Sequence, residues 1–348
     1  LEDAPYHIGN IQNKADADKC IIPLINLLRE EVCVKLNKKV IFRTWWAFDT
    51  DEKKYEYISS RVEPHKNLVI AIKHCEGDFH RGHAFSKVLG MGRHQQLVEV
   101  QCAREYEGKG AFPNYIARGV LDGFEENQSR RDEGKMWNLR QEYQTGKMVG
   151  LWTWTRGGGW EGPYIKDELW TELNAWVLMQ WANNPKASEA SLFDRYCKEK
   201  LHLDAANAKI FREIALLSEK ATLLGLSSRK YPEEVSGIWV RDEYITFPDM
   251  PNDKQKVAVM LKEKDEAVEA WNKIAELGAK IKMQNEYQTE LVKVTCEYGR
   301  QMYKIFRDVF HLSAIKKGLC GEDKSNYIKE YDQSWKALNN LLITYPRT

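Results

Sequence analysis

The sequence lacks paired cysteines and lacks an excess of charge of one sign. Its seven cysteines are scattered, odd in number and never form a Cys-x-x-Cys motif, which argues against a disulfide framework and against zinc-ribbon spacing. The 52 lysines and arginines are balanced by 51 aspartates and glutamates. Nucleic-acid-binding proteins concentrate positive charge, often in a basic run with interleaved aromatics, and no such run is present. We therefore expect no nucleic-acid partner.

Long apolar runs are also absent. The longest candidates, such as LVIAI (68–72), have the length of a strand, whereas a membrane-spanning helix needs about 18 apolar residues or more. The first residues, LEDAPYHIGNIQ, have neither the basic region nor the apolar segment of a signal peptide, and they lack an initiator methionine. We expect no membrane association, and we expect a processed or truncated product.

Length and aromatic content are the positive features of the composition. A chain of 348 residues, 43% hydrophobic, suggests about two domains with a large core. The 12 tryptophans and 16 tyrosines fit either a packed core or a surface on which sugar rings stack. Composition alone favours the packed core.

The first half of the chain alternates helix and strand patterns. Apolar β-branched runs predict strands at KKVIFRTWW (38–46), NLVIAIKH (67–74), QQLVEVQC (95–102) and MVGLWTWT (148–155). Helical patterns cover 16–36, 51–62 and 112–128. This alternation is typical of a parallel sheet. Four strands are too few to close an eight-stranded barrel, so residues 1–160 are predicted to be the C-terminal half of a (β/α)8 TIM barrel, or a smaller open sheet.

The second half of the chain has no further strand pattern. Amphipathic helices are predicted at 204–226, 252–283, 289–312 and 325–345, with an irregular link at 227–251. Residues 161–348 are therefore predicted to form an all-α helical domain.

The segment AIKHCEGDFHRGH (71–83) is rich in metal-ligand types. However, it contains no HExxH motif, no His-x-His pair and no cysteine pair. A metal-dependent hydrolase is therefore the weaker interpretation of this segment, which contributes His74, Cys75, Glu76, Asp78, His80 and His83.

Charged and aromatic residues lie at or just beyond the C-terminal ends of the predicted strands, where parallel α/β barrels carry their active sites. These residues are Arg43, Lys73, Asp78, Glu105 and Trp160. A cation near the end of a buried apolar strand is costly unless it meets an anion. The anion is either a ligand or a structural partner, for instance Glu99 or Asp78 for Arg43, and spacing alone leaves both possibilities open.

Four segments, in order, resemble glycoside hydrolase family 67, the α-glucuronidases. They are VIFRTW (40–45), IKHCEGDF (72–79), LVEVQCAREYEGKG (97–110) and GWEGPYIKDELWTELNAWVLMQWANNP (159–185). The similarity covers roughly residues 15–185, and an all-helical C-terminal region also suits the family.

The resemblance implies roles for particular positions. Asp78 and Glu105 fall on the family's two carboxylates associated with the catalytic base, Arg43 and Lys73 on the cations that grip the substrate's uronate, and Trp160 on the sugar-binding wall. It implies an inverting hydrolysis without metal or organic cofactor. The family's general acid is a glutamate in an SEGQPG-like segment, and nothing in this chain matches that segment.

The expected function is removal of an α-linked glucuronic or related uronic acid from plant-type oligosaccharides such as glucuronoxylan fragments. The alternative is a non-catalytic carbohydrate-binding fragment that lacks the general acid. Since open sheet edges tend to pair, we expect association with a missing N-terminal half or with another copy of the chain.

Overall fold

The computed structural model describes residues 14–44, 51–75, 85–101, 111–154, 165, 167–235, 240–241 and 244–345. The described residues form a mixed α/β structure with a small parallel four-stranded sheet, and 61% of them are helical. It divides into two compact units. The first contains the described parts of 1–76, 84–100 and 120–153, and the second contains those of 101–119 and 154–348.

The first unit is built on the parallel sheet. Its strands are β1 (Val40–Arg43), β2 (Leu68–Lys73), β3 (Gln95–Gln101) and β4 (Met148–Trp154), in the order β1-β2-β3-β4. All four predicted strands are confirmed, as is the parallel pairing of β1 with β2 and of β2 with β3. Every residue of β2 is buried, which explains its unbroken apolar sequence.

Helices precede β1 and lie between β1 and β2 and between β3 and β4. They are α1 (Lys14–Leu28), which continues into a π-helical segment (Arg29–Lys35), α2 (Glu52–Ser59), α3 (Ala117–Asp122), α4 (Gln128–Asp132) and α5 (Leu139–Gln144). The continuous helix predicted over 112–128 is wrong, because only Ala117–Asp122 of its first part is α-helical. Gly123 follows with a φ of +106°, a left-handed conformation that ends the helix, and a 3-10 turn (Glu125–Asn127) comes next.

The second unit consists mainly of long helices. They are α6 (Leu169–Asn183), α7 (Glu189–Glu199), α8 (Ala205–Leu226), α9 (Lys254–Lys280), α10 (Glu286–Lys316) and α11 (Lys324–Thr344), with a small antiparallel pair β5 (Val240–Arg241) and β6 (Tyr244–Ile245). The side chains of Asp204, Asp253, Asn285 and Asp323 cap the last four helices. No helix in the described ranges is both long and apolar enough to cross a bilayer.

Aromatic side chains fill the core of the second unit. The Trp271 and Tyr303 rings stack at 4.6 Å, and Phe112, from the segment before α3, meets both rings edge-on at 5.5 Å. A Cβ added at Gly299 would overlap the Trp271 ring, so the glycine permits this close packing. These aromatics support the packed-core interpretation of the composition.

Candidate functional site

The carboxyl ends of the parallel strands bring charged residues onto one face of the sheet. Lys73 is the register partner of Glu99, and Arg43 is the register partner of Ala71. Register partners in a parallel sheet share a face, as do residues two apart along a strand. Arg43, Lys73 and Glu99 therefore lie on the same face, near the ends of β1, β2 and β3.

Arg43 and Glu99 form a bidentate ion pair across the intervening strand. Arg43 Nε donates to Glu99 Oε2 at 2.6 Å, and Nη2 donates to Oε1 at 2.5 Å. Neighbouring strands are about 4.8 Å apart, so a pair joining β1 to β3 spans about 10 Å. Ala71 occupies the β2 position beside Arg43, and its small side chain leaves room for the long guanidinium to cross. Of the two partners considered from the sequence, the structure shows Glu99.

Trp152, on β4, extends this face. The Cζ atom of Arg43 lies 5.8 Å from the centroid of the Trp152 ring, within cation–π range. The Glu99 side chain is fully buried, whereas Trp152 is 40% exposed. The ion pair is thus enclosed on one side and bordered by an exposed indole on the other. An exposed indole beside a strand-end arginine is suited to covering the apolar face of a sugar ring.

The backbone beyond Lys73 is held by an ordered ladder. The Lys73 side chain is buried at the last position of β2. The next N–H, of His74, donates to the Glu99 carbonyl at 2.9 Å, and the His74 carbonyl accepts from Ser86 N–H at 2.9 Å. Cys75 then forms an isolated antiparallel bridge with Phe85. Lys73 therefore lies on a rigid part of the sheet, which is a suitable place for a side chain that positions a ligand.

The structure places two of the five predicted site residues together. Arg43 and Lys73 share the strand-end face, whereas Asp78, Glu105 and Trp160 lie outside the described residues. Within the described ranges, no group of three or more histidine, cysteine, aspartate and glutamate side chains is arranged to hold a metal. Of the six ligand types in segment 71–83, His74 and Cys75 are described, and Glu76, Asp78, His80 and His83 are not.

A second buried polar cluster lies at the opposite ends of β3 and β4. The Gln96 amide donates to the Tyr55 hydroxyl at 2.9 Å and accepts from Gly90 N–H at 2.8 Å. Lys147 Nζ donates to the Gly90 carbonyl at 2.5 Å. Glu142 is fully buried close by, and neither carboxylate oxygen has a hydrogen-bond partner.

Burial shifts the pKa values of two groups in this cluster. It raises the pKa of Glu142 to about 7, although the charge of Lys147 opposes the shift, and it raises the pKa of Tyr55 to about 12. The sequence predicted neither Glu142 nor Trp152 as a notable residue. Glu142 is part of the polar stretch LRQEYQ, which has no signal for burial, and Trp152 was included only as one residue of a strand.

No family model matches the chain, and a search of curated proteins finds no match. The resemblance to family 67 therefore rests on the four sequence segments, and the roles that it implies remain predictions.

Proposed function

We propose that the protein is an inverting glycoside hydrolase that removes an α-linked glucuronic or related uronic acid from plant-type oligosaccharides such as glucuronoxylan fragments. The observation that carries the proposal is the position of Arg43 and Lys73 on one face at the carboxyl ends of adjacent strands. A uronate carboxylate would be attracted to both cations, the Arg43 guanidinium, which also holds Glu99 through Nε and Nη2, and the compact charge of Lys73. Trp152 borders the same face and adds an apolar surface for the sugar ring.

Two carboxylates have the proposed role of activating water. In sequence, Asp78 follows β2 by five residues and Glu105 follows β3 by four. The base removes a proton from water as the oxygen attacks the anomeric carbon, and an acid protonates the departing glycosidic oxygen; in this proposal the acid belongs to the further β/α segment or second copy that covers the edges of the sheet. An inverting enzyme keeps these groups about 6.5–9.5 Å apart so that the water fits. Trp160 completes the sugar-binding wall, and the reaction needs no cofactor.

The test uses a glucuronoxylan-derived oligosaccharide bearing an α-linked glucuronic acid. We expect wild-type protein to release β-configured glucuronic acid first, as seen by proton NMR before mutarotation. Asp78→Asn and Glu105→Gln should each lower kcat by roughly 10²–10⁴-fold, the usual contribution of a positioned acid or base. Absence of hydrolysis by wild-type protein, or release of the α-anomer first, would contradict the proposal.

Cation substitutions test how the substrate is held. Arg43→Met and Lys73→Met should raise KM for the uronate substrate. Arg93→Met is the matched control, because Arg93 is an exposed arginine whose carboxylate partner, Glu63, is also exposed. The control should leave KM unchanged. Equal effects of all three variants would refute a specific role for the strand-end cations.

A non-catalytic carbohydrate-binding protein is the second candidate. The observation that favours it is the absence of any segment matching the family's general acid. In this case glucuronate should bind, as measured by calorimetry, and Arg43→Met should weaken binding. No uronic acid should be released, and Glu105→Ala should leave any residual hydrolysis unchanged.

The proposed function also includes a partner for the sheet, because residues 1–160 are predicted to be half of a β/α barrel. β1 and β4 are the outer strands of the four-stranded sheet, and each exposes an apolar side chain, Ile41 and Val149 respectively. Exposed apolar edge strands tend to pair with further strands. We propose that a further β/α segment or a second copy of the chain covers these edges. If copies of the chain associate, the mass in solution measured by light scattering should exceed that of one chain. Ile41→Lys should then reduce the measured mass.

A further inference from the structure

The last helix, α11, packs through one face, on which the half-buried residues are all apolar or aromatic, namely Tyr327, Tyr331, Trp335, Ala337, Leu341 and Leu342. Of its residues, Ser334 and Leu338 are buried, and most of the others are exposed. It packs against α10, which in turn packs against α9. Charged contacts near the N-terminal end of α11 add to this apolar packing.

His311 lies at the centre of these contacts. It is a buried residue of α10, and its Nδ1 is 2.6 Å from Glu322 Oε2, in the turn that leads into α11. Its Nε2 is 3.4 Å from Asp265 Oδ1 on α9, a separation that gives Coulombic attraction without a hydrogen bond. Its ring stacks on Tyr327 of α11, with centroids 4.4 Å apart. One imidazole thus contacts three parts of the helical unit.

The other charges around His311 are mainly negative. Arg307 pairs with Asp308 at 2.6 Å and with Glu330 of α11, and it lies 4.0 Å from Asp265. Asp308 is fully buried, and its Oδ2 has no hydrogen-bond partner. Lys304 of α10 interacts with Glu330 at the margin. His311 and Arg307 are therefore the central cations among four carboxylates, those of Asp265, Asp308, Glu322 and Glu330.

We propose that His311 is a proton-operated latch that holds α11 against α10 and α9. When the imidazole carries two protons, its single positive charge lies between Asp265 and Glu322 and offsets part of their repulsion, and its Nδ1–H donates a charge-assisted hydrogen bond to Glu322. Loss of one proton leaves an uncharged ring among carboxylates that repel one another. The contact with α11 then weakens, and the helix loosens from the unit.

The direction of the pH effect follows from the docked environment. Asp265 and Glu322 raise the pKa of His311 despite its burial, and burial raises the pKa of Asp308 to about 6. Both groups hold protons more tightly in the docked state than in the free chain. The contribution of His311 to the docking free energy of α11 is complete below about pH 6.5. It is lost as pH rises through the higher pKa that His311 has in the docked state. The Asp308 contribution is lost between about pH 4 and 6, so docking is tighter at pH 6 than at pH 8.5.

Hydrogen exchange of the whole chain tests the latch. Protection of the α11 amides is measured from pH 6 to 8.5 after correction for the intrinsic pH dependence of exchange, with α8 as the internal reference. We expect α11 protection to fall across this range, by about tenfold for each unit by which docking raises the His311 pKa. We expect α8 protection to fall less.

Two variants separate the latch from general effects. His311→Gln keeps a donor for Glu322 but cannot titrate, so α11 protection should lose its pH dependence. His202→Asn is the matched control, since His202 is exposed and has a φ of 50°, which asparagine tolerates. It should behave as wild type. The same pH response in His311→Gln as in wild type would overturn the proposal.

A direct titration keeps the proposal testable if His311→Gln fails to fold. In wild-type protein labelled with ¹⁵N-histidine, the His311 resonance should titrate above pH 6.5. A midpoint at or below pH 6.5 would overturn the latch, because the docked state would then not favour the proton.

Discussion

The two units each contain a bidentate arginine–glutamate pair, but in different surroundings. In the first unit, Arg43 and Glu99 lie at the strand ends beside the exposed Trp152. In the second unit, Arg212 donates hydrogen bonds from Nη1 and Nη2 to the two carboxylate oxygens of Glu189, each at 2.6 Å. The Tyr115 hydroxyl also donates to Glu189, and the Phe193 ring lies 4.4 Å from the guanidinium.

The comparison shows that pair geometry alone does not identify a site. Both glutamates are buried, and both pairs have short hydrogen bonds. The helical pair is packed against aromatic rings and joins segments of the core, which is a structural role. The sheet pair lies at the strand ends, where α/β proteins place ligands, and therefore remains the candidate for function.

The largest expected effect comes from breaking the helical pair. Glu189→Ala should lower the free energy of unfolding by about 3–5 kcal/mol, because it leaves the Arg212 charge and the Tyr115 hydroxyl without their partner in the core. Urea denaturation measures the change. A loss below about 1 kcal/mol would mean that solvent screens this pair as it does a surface pair.

A buried acid in the first unit should make stability fall as pH rises. Folding raises the pKa of Glu142 to about 7, so the folded state holds a proton that the unfolded chain loses above about pH 4.5. The free energy of unfolding therefore falls by about 3 kcal/mol between pH 4.5 and pH 8. Glu142→Met has no carboxyl group to titrate. Its free energy of unfolding, relative to that of wild type, should therefore be higher at pH 8 than at pH 4.5. A difference between the two urea curves that does not change with pH would contradict this.

A buried base in the second unit should have the opposite slope. Burial lowers the pKa of Lys264 to about 7, while its amine donates to the carbonyls of Leu224, at 2.7 Å, and Ser227, near the end of α8. The unfolded chain therefore binds more protons above pH 7, and stability rises with pH. Between pH 7 and 9 this difference in proton binding should raise the free energy of unfolding by about 2.5 kcal/mol. Lys264→Met should remove that rise. Urea denaturation at the two pH values measures the difference, and an unchanged slope in the variant would refute the assignment.

The smallest expected stability effect belongs to the sheet pair. Glu99→Gln keeps the shape of the side chain but replaces a charged acceptor with a neutral one, so the free energy of unfolding should fall by about 1–3 kcal/mol. If the proposed function is correct, the freer Arg43 should also change KM for the uronate substrate. The matched variant Glu189→Gln should affect stability without changing KM, and a change of KM in both variants would argue against the distinction between the pairs.

Local structure was largely predictable from the sequence. The strands appear where β-branched runs occur, and their parallel pairing was predicted from the alternation of strand and helix patterns in the first half of the chain. The start of α8 was predicted at Asp204 and that of α9 just after Pro251, and in each case an aspartate caps the first turn. The error at 112–128 arose because Gly123 was included in a helical pattern that its left-handed backbone interrupts.

Pairings between distant residues were decided by the tertiary structure. Arg43 and Glu99 are 56 residues apart, and their contact depends on the register of three strands and on the small side chain of Ala71 between them. The sequence named Glu99 and Asp78 as equal candidates for this partner. It carried no signal for the burial of Glu142, nor for the grouping of His311 with carboxylates from neighbouring elements.

The sequence by itself therefore determined the strands, most of the long helices and the presence of cations at the strand ends. These features depend on interactions within a few residues of the chain, such as hydrophobic periodicity and side-chain capping. Only the tertiary structure decided which charges meet and which are removed from water. Both depend on strand register and on the packing of helices that are distant in sequence, and they determine the pKa of Glu142, Lys264 and His311.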